Sequence, residues 1–140
     1  MATYSSGMLL LTSEYALSVM AYLAGQGSGF CKVPVIAQAV GLTEPYTFKV
    51  VTSLENAGLV TTLRGRAGGA KLSRSPQKIS LLDVVNAVGS LKRTVPTPRG
   101  AIGASLAPLN RKLDAMVSDL EKRLSATTLA DVAARRAERL

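Results

Sequence analysis

The first third of the chain repeats apolar positions at the spacing of helices. From Leu9 to Gly25 apolar residues recur every three or four positions, and the stretch GQGSG ends this pattern. Pro34 suits the first turn of a short helix over Val35–Val40, which a glycine ends. Thr43 then caps a longer helix over Glu44–Ala57. Two helices joined by a short turn that contains glycine predict a helix-turn-helix.

A change to alternating and Thr/Val-rich sequence follows these helices. Leu59–Arg64 is predicted to form one strand and Ala70–Ser73 the returning strand, with a glycine-rich turn between them. Ser80 followed by Asp83 is a capping-box pattern, and it opens a helix that runs through Val88. This helix is expected to bury four apolar residues, namely Leu81, Val84, Val85 and Val88.

The last third begins with a segment of different composition. Gly89–Ser105 contains two prolines and three glycines, so we expect a linker. Thr128 can cap an Arg-rich helix over the tail that ends at Leu140. Between them lies an apolar seam with steps of three and four residues, which predicts a long amphipathic helix. The seam consists of Leu106, Leu109, Leu113, Met116, Leu120 and Leu124.

Together these elements predict a mainly α fold with a small β-hairpin wing. We expect a winged helix-turn-helix over residues 1–90, a linker over 91–105, and a dimerisation helix with a C-terminal tail over 106–140. A chain of 140 residues suits one compact core with an appendage. The apolar seam would be exposed in a monomer, so it favours self-association.

Charge narrows the class of partner. Seventeen Lys and Arg against nine Asp and Glu give a formal net charge of +8, which favours a polyanion. Nucleic acid is the first candidate and an anionic membrane surface the second. The chain has no run near the roughly 18 apolar residues of a membrane span, and its start lacks the basic flank of a signal peptide. We therefore expect a cytoplasmic protein that does not bind membranes.

The inventory of reactive side chains argues against an enzyme. The chain has one cysteine and no histidine, which excludes an internal disulfide framework, a histidine metal site and a histidine general base. No convincing pair of carboxylates shares one face. We expect no cofactor and rank catalysis last.

Four stretches occur in the order and spacing of a known family: EYALSVMAYLA, then VIAQAVGL through NAGLV, then RGRAGGAKLSRSP, and ISLLDVVNAV. With them the chain resembles the Rrf-two family of winged-helix transcription repressors over nearly its whole length. The resemblance implies a homodimeric regulator that binds a palindromic operator in double-stranded DNA and dimerises through the long helix.

Several residues depart from the family pattern. Members that bind an iron–sulfur cluster carry cysteines in the loop before the dimerisation helix, whereas this chain has RTVPTPRGAIGA there. Because such clusters are held by Cys and occasionally His, we expect none here. Leu10 replaces the family's usual hydroxyl residue at the cap of the first helix, and Ala70 replaces the usual aromatic residue of the wing.

The candidate DNA contacts come from the second helix and the hairpin. On a helical wheel Phe48, Thr52, Glu55 and Asn56 face away from the side formed by Tyr46, Thr47, Val50, Leu54 and Ala57. Phe48 either meets a thymine methyl or packs on Cys31 or the wing. Arginines at the hairpin tip suit a narrow minor groove, and by resemblance Arg64 is the wing arginine. The expected contacts are Thr43, Pro45, Tyr46, Phe48, Lys49, Thr52, Arg64, Arg66, Lys71 and Arg74, with Lys78 as a further phosphate contact.

Cys31 leaves two interpretations open. Lys32 beside it could lower its pKa and make it a redox sensor, or the thiol could be a small buried apolar group. A general RNA-binding module is the alternative to a DNA-binding regulator, although few aromatic residues are available for stacking. The effector, whether an oxidant, a small molecule or a protein, does not follow from the sequence.

Overall fold

The computed structural model of the protein describes residues 2–64, 68–91 and 99–133, with side chains from residue 11 onward. The fold is mainly helical with one antiparallel hairpin, which confirms the predicted fold class. In chain order the elements are α1 (Ala2–Ala24), α2 (Val33–Val40), α3 (Glu44–Asn56), β1 (Val60–Leu63), β2 (Gly69–Leu72), a 3-10 turn (Pro76–Lys78), α4 (Leu81–Val88), α5 (Gly100–Ala126) and α6 (Leu129–Val132).

The helix-turn-helix forms where its local capping residues predict it. Gly41 ends α2 in the left-handed conformation, with φ at +75°. The Oγ1 of Thr43 accepts the backbone N–H of Tyr46 at 3.4 Å, so Thr43 is the N-cap of α3. Helix α2 begins at Val33, two residues before the expected start, because Pro34 stands in its first turn.

The first helix is longer than the pattern predicts. Helix α1 begins at Ala2, so Leu10 lies inside it and is not its cap, and this expectation is wrong. Since the later turns of α1 are held in the core, each further residue adds a helical hydrogen bond without a new nucleation cost.

A single core joins α1 to the helix-turn-helix, the hairpin and α4. Four residues of α1 are at most 2% exposed, at the helical spacing of the sequence pattern. They pack with α2, α3, α4 and α6. The core includes Ala16, Val19, Met20, Leu23, Ile36, Val50, Val51, Leu54, Leu59, Val60, Ala70, Ile79, Val84 and Leu129.

Strands β1 and β2, which we call the wing, pair in antiparallel register from Val60 with Leu72 to Leu63 with Gly69. The chain before α2 adds a third pairing that the sequence did not predict. Cys31 exchanges two backbone hydrogen bonds of 2.8 Å with Ala70. A Cβ at Gly69, where φ is +149°, would overlap the carbonyl group of Cys31. Ala70 is fully buried at this tightly enclosed position, which holds only a methyl group.

Helix α4 carries the predicted capping box. The backbone N–H of Asp83 donates to Ser80 Oγ and that of Ser80 donates to Asp83 Oδ2, both at 3.0 Å. Val84 and Val85 are buried as expected. Leu81 and Val88 are only half-buried, because they lie at the two ends of this short helix.

Helix α5 begins at Gly100, so residues 100–105 are helical rather than part of a linker. The prolines of that segment, in the stretch 92–98, lie outside the described residues, and the residues from Ala101 to Leu106 are compatible with a helix. The division into three units therefore stays a prediction, with a helix that starts earlier.

The chain returns to the core after α5. Thr128 and Asp131 form a second capping box at the start of α6, and Leu129 is fully buried. The backbone N–H of Leu129 donates to Ile79 O at 2.8 Å, and that of Leu81 donates to Thr127 O at 2.9 Å. The predicted tail helix beyond residue 133 lies outside the described part of the chain. Within the described residues no helix combines the length and apolarity needed to cross a membrane.

Candidate nucleic-acid interface

Helix α3 has a buried face and an exposed face, as the helical wheel predicts. Thr47, Val50 and Leu54 are buried, whereas Lys49 and Thr52 are exposed. Phe48 is 59% exposed, which is unusual for a large aromatic side chain. Phe48 is therefore not a buried side chain, although it lines the same groove as Leu63 and Arg64 of the hairpin region, and its contact with DNA stays a prediction. Ala57, placed on the inner side by the wheel, is exposed because α3 ends at Asn56.

Tyr46 has a structural position rather than an outward one. Its hydroxyl donates to Thr12 Oγ1 at 3.3 Å, and its ring lies edge-on to Tyr15 with 5.5 Å between centroids. These contacts tie the first turn of α3 to α1, so Tyr46 orients the helix. Thr43 and Pro45 lie exposed at the start of the same helix, and their contact with DNA stays a prediction.

The exposed face of α3 continues into a groove beside the wing. This α3–wing groove has a volume of about 740 Å³, which lies in the range of small-molecule pockets. It brings the predicted contacts Phe48, Thr52 and Arg64 together. It also contains Glu55, which the helical wheel placed on the outward side of α3. Lys32 and Thr62 line it too, and sequence reasoning missed them because only the tertiary fold places them beside α3. The groove is lined by Lys32, Val33, Pro34, Phe48, Val51, Thr52, Glu55, Thr62, Leu63, Arg64, Gly68 and Gly69.

The predicted cations of the wing do not all share this groove. Arg64 is exposed directly after β1, whereas Arg66 lies outside the described residues. The ammonium of Lys71 lies 4.8 Å from the centroid of the Phe30 ring, an arrangement that attracts a cation to the ring face. Lys71 and Arg74 line a separate depression beside the loop that follows α1. Their contacts with phosphate, and that of the exposed Lys78, stay predictions.

Cys31 is half-buried beside β2, where its backbone pairs with Ala70. Burial raises the pKa of its thiol, because the thiolate would lose solvation. The expectation that Lys32 lowers this pKa is therefore wrong. At neutral pH the thiol is mostly protonated, which opposes the reactivity that a redox sensor needs.

The apolar seam of α5 lies open along the helix. Leu109, Met116 and Leu120 are 53%, 63% and 42% exposed, and Ile102 extends the row at 65%. Leu106, Leu113 and Leu124 are half-buried. A contiguous apolar row of this kind marks a surface for association.

Comparison with known proteins decides the class of this fold. A family model described as "Rrf2: Iron-dependent Transcriptional regulator" matches residues 11–135. This chain belongs to the Rrf2 family. It is a winged-helix transcription regulator, which confirms the class of function that the resemblance implied.

Individual relatives agree with this assignment. The Rrf2 chain is 42% identical to protein aau3 of Rhizobium meliloti over 73 residues, which cover 52% of the chain and 47% of that protein. It is 33% identical over 122 residues to the HTH-type transcriptional regulator CymR of Bacillus subtilis. This match covers 86% of the chain and 85% of CymR. The solved structure of CymR from B. subtilis, the global cysteine regulator of that organism, matches with a TM-score of 0.69 at 29% identity and covers 87% of this chain and 92% of that one.

The family description mentions iron, and the donor set of this chain can be compared with that chemistry. An iron–sulfur cluster needs several cysteine thiolates, with histidine as an occasional substitute. The sequence has one cysteine and no histidine, and that cysteine, Cys31, is half-buried beside β2. In the described ranges no three residues among Asp, Glu, Cys and His lie close enough to hold a metal ion. These residues do not fit such a cluster.

Proposed function

We propose that this Rrf2 protein is a sequence-specific, dimeric DNA-binding repressor that works without an iron–sulfur cluster. The observation that carries the proposal is the α3–wing groove, where exposed Phe48 and Thr52 stand next to Arg64. An exposed helix face beside a wing that carries arginine is the arrangement with which winged helices read a duplex.

The two sides of the groove suit two different parts of the duplex. Helix α3 presents Phe48 and Thr52 to base edges in the major groove, where an apolar side chain can contact a thymine methyl group. Arg64 on the wing reaches toward the adjacent minor groove, whose negative potential favours guanidinium. Lys49, which is exposed on α3 next to Phe48 in sequence, contacts the phosphate backbone.

A dimer follows from the exposed seam of α5. Two copies that bury Leu109, Met116 and Leu120 against each other form a two-fold symmetric interface. Two recognition helices related by that axis require an operator with palindromic half-sites. The formal charge of +8 supports binding to a polyanion and predicts strong dependence on salt.

The role is one of binding rather than catalysis. The chain has no histidine to act as a general base, and burial raises the pKa of its single thiol, which opposes its use as a nucleophile. Control by oxidation of Cys31 is compatible with the fold but is not favoured, since a protonated thiol reacts slowly. A small-molecule or protein effector is the remaining route of regulation.

The decisive experiment is the selection of bound duplex fragments from the source genome, followed by competition. Fluorescence anisotropy measures the affinity for the selected operator, a scrambled duplex of equal length, and a single-stranded RNA of equal charge. We expect the operator to bind at least about 1000-fold more tightly than the scrambled duplex. Phe48→Ala should reduce that ratio, whereas the control Gln77→Ala, on the 3-10 turn, should leave it unchanged. Equal affinity for both duplexes, or a preference for RNA, would overturn the proposal.

A further inference from the structure

A hydrogen bond joins α3 directly to the wing. Thr62 Oγ1 donates to Glu55 Oε2 at 2.6 Å, a short distance that is typical of a hydroxyl bound to a carboxylate. Glu55 lies in the last turn of α3, and Thr62 lies in the middle of β1. The two elements proposed to enter neighbouring grooves of DNA are therefore tied by their side chains.

The position of Thr62 links this bond to the wing arginine. Arg64 follows two residues later, the spacing at which side chains of an extended chain point to the same face. Both residues line the α3–wing groove together with Glu55. A bond that holds Thr62 toward α3 consequently holds the end of β1, and Arg64 directly after it, at a defined angle to Phe48.

The other strand of the wing is fixed independently. Ala70 of β2 exchanges two backbone hydrogen bonds with Cys31 on the side of β2 that faces away from β1. Strand β1 has no such backbone partner on its own outer side among the described residues. The Glu55–Thr62 bond thus restrains the strand that the backbone pairing leaves less restrained.

The charge of Glu55 makes this position informative. Among the described residues that line the groove, Glu55 is the acidic one, beside the cations Lys32 and Arg64. A carboxylate in a groove that receives DNA repels phosphate, so electrostatics alone disfavours it here. The bond is also exposed, and exposed polar pairs contribute little to folding stability. Neither charge complementarity with DNA nor folding stability accounts for the Glu55–Thr62 pair. A role in setting the position of the wing does account for it.

We propose that Glu55 and Thr62 form a positioning pair that sets the angle between α3 and the wing, so that Phe48 and Arg64 engage one operator together. This inference rests on the proposed function, because it concerns how the same groove selects DNA. The pair does not touch the bases. It acts through Arg64, and its effect is on the ratio of operator to scrambled-duplex affinity.

The test uses Thr62→Val in the full chain, because valine has the shape of threonine, suits a strand and changes no charge. We expect the affinity ratio to fall about fivefold. In an Arg64→Ala background the same change should alter the ratio by less than about twofold, because the arginine through which the pair acts is gone. Full additivity of the two changes would overturn the proposal, since a merely structural role does not depend on Arg64.

Glu55 supplies a second and independent test. Glu55→Gln keeps an oxygen that accepts the hydroxyl hydrogen, so the ratio should stay within about twofold of the wild type. Glu55→Ala should lower it as Thr62→Val does. Loss of charge raises the affinity for both duplexes alike and cancels in the ratio, and Asp119→Asn on α5 is the control for net charge. Equal losses of the ratio in the Gln and Ala variants would overturn the proposal, because Glu55→Gln keeps the acceptor of the bond.

These outcomes separate the two proposals. If the wild type does not distinguish operator from scrambled duplex, the proposed function fails. If the wild type distinguishes them and Thr62→Val keeps the full ratio while folded by circular dichroism, the positioning pair fails and the proposed function stands.

Discussion

The two long helices of this protein have similar apolar spacing and opposite surroundings. Helix α1 has 23 residues and buries Ala16, Val19, Met20 and Leu23 against other elements of the chain. Helix α5 has 27 residues, all described, of which Gly103 is buried. The comparison teaches that periodicity identifies an apolar face but not its partner. The chain itself covers α1, whereas a second copy is our proposed cover for α5.

The comparison is sharpest between two methionines, because Met20 is fully buried in α1 and Met116 is 63% exposed on α5. Met20→Ala should lower the free energy of unfolding by about 2–5 kcal/mol, since it leaves a cavity in a close-packed core. Met116→Ala should change the stability of the monomer by less than about 0.5 kcal/mol. Urea denaturation at low protein concentration measures both. Similar losses in the two variants would mean that α5 is already covered within one chain.

Charges on the open face of α5 should break the dimer. Leu109→Lys combined with Met116→Lys places two cations in the proposed interface, where replacing one central apolar side chain costs about 2 kcal/mol or more of binding free energy. Sedimentation should show a monomer at micromolar concentration where the wild type is a dimer. Asp119→Lys, an exposed change on the same helix, is the control. A monomeric wild type would remove α5 as the dimerisation element.

DNA contact should depend on α3 and the wing and not on α5. Arg64→Ala should weaken operator binding by about 1–3 kcal/mol and reduce sequence preference, as expected for an arginine that enters a groove. Arg111→Ala removes an equal charge from the exposed surface of α5 and should have a much smaller effect. Both affinities come from anisotropy titrations at one salt concentration. Wild-type affinity in Arg64→Ala would take this residue out of the interface.

A smaller effect on operator binding is expected at Cys31, which lies beside β2 rather than on the exposed face of α3. Because burial raises the pKa of this thiol, its rate of alkylation by iodoacetamide should increase with pH up to values above the ordinary thiol pKa. Cys31→Ser should bind the operator within about twofold of the wild type. Peroxide should affect both proteins equally. A peroxide response confined to the wild type would establish Cys31 as a sensor.

We expect no iron to be bound by the segment between α4 and α5, residues 89–99. This segment has no cysteine, and the whole chain has one. Protein purified without air should be colourless, and a chelator should leave its unfolding temperature unchanged. A brown preparation that contains iron would show that this chain binds a cluster despite its lack of cysteine and histidine ligands.

Local chemistry made α2, α3 and α4 predictable from sequence. Thr43 and Ser80 cap their helices with hydrogen bonds to residues three positions away, and such bonds need no knowledge of the fold. The pairing of Cys31 with Ala70 and the bond from Thr62 to Glu55 join segments that only tertiary folding brings together. The start of α5 was missed because a stretch with glycine and proline has the composition of a linker.

The candidate site divides in the same way. The exposure of Phe48 and Thr52 followed from the helical wheel, since 100° per residue fixes which side of a helix each side chain occupies. The contacts of Tyr46 with α1, the ring beneath Lys71 and the raised pKa of Cys31 depend on neighbours distant in sequence. The wheel placed Tyr46 on the inner side of α3, but no local pattern identifies these partners.

The return of the chain after α5 has a consequence for cooperativity. Leu129 fills the core that α1–α4 and the wing share, and the backbone around it pairs with Ile79 and Leu81. The far end of α5 is thereby anchored to the same body from which the chain departs after α4. Melting α6 opens the core that α1 helps to build, and loss of that core releases α5 from its anchor. We therefore expect α5 and the core around α1, which differ most in burial, to unfold as one cooperative unit.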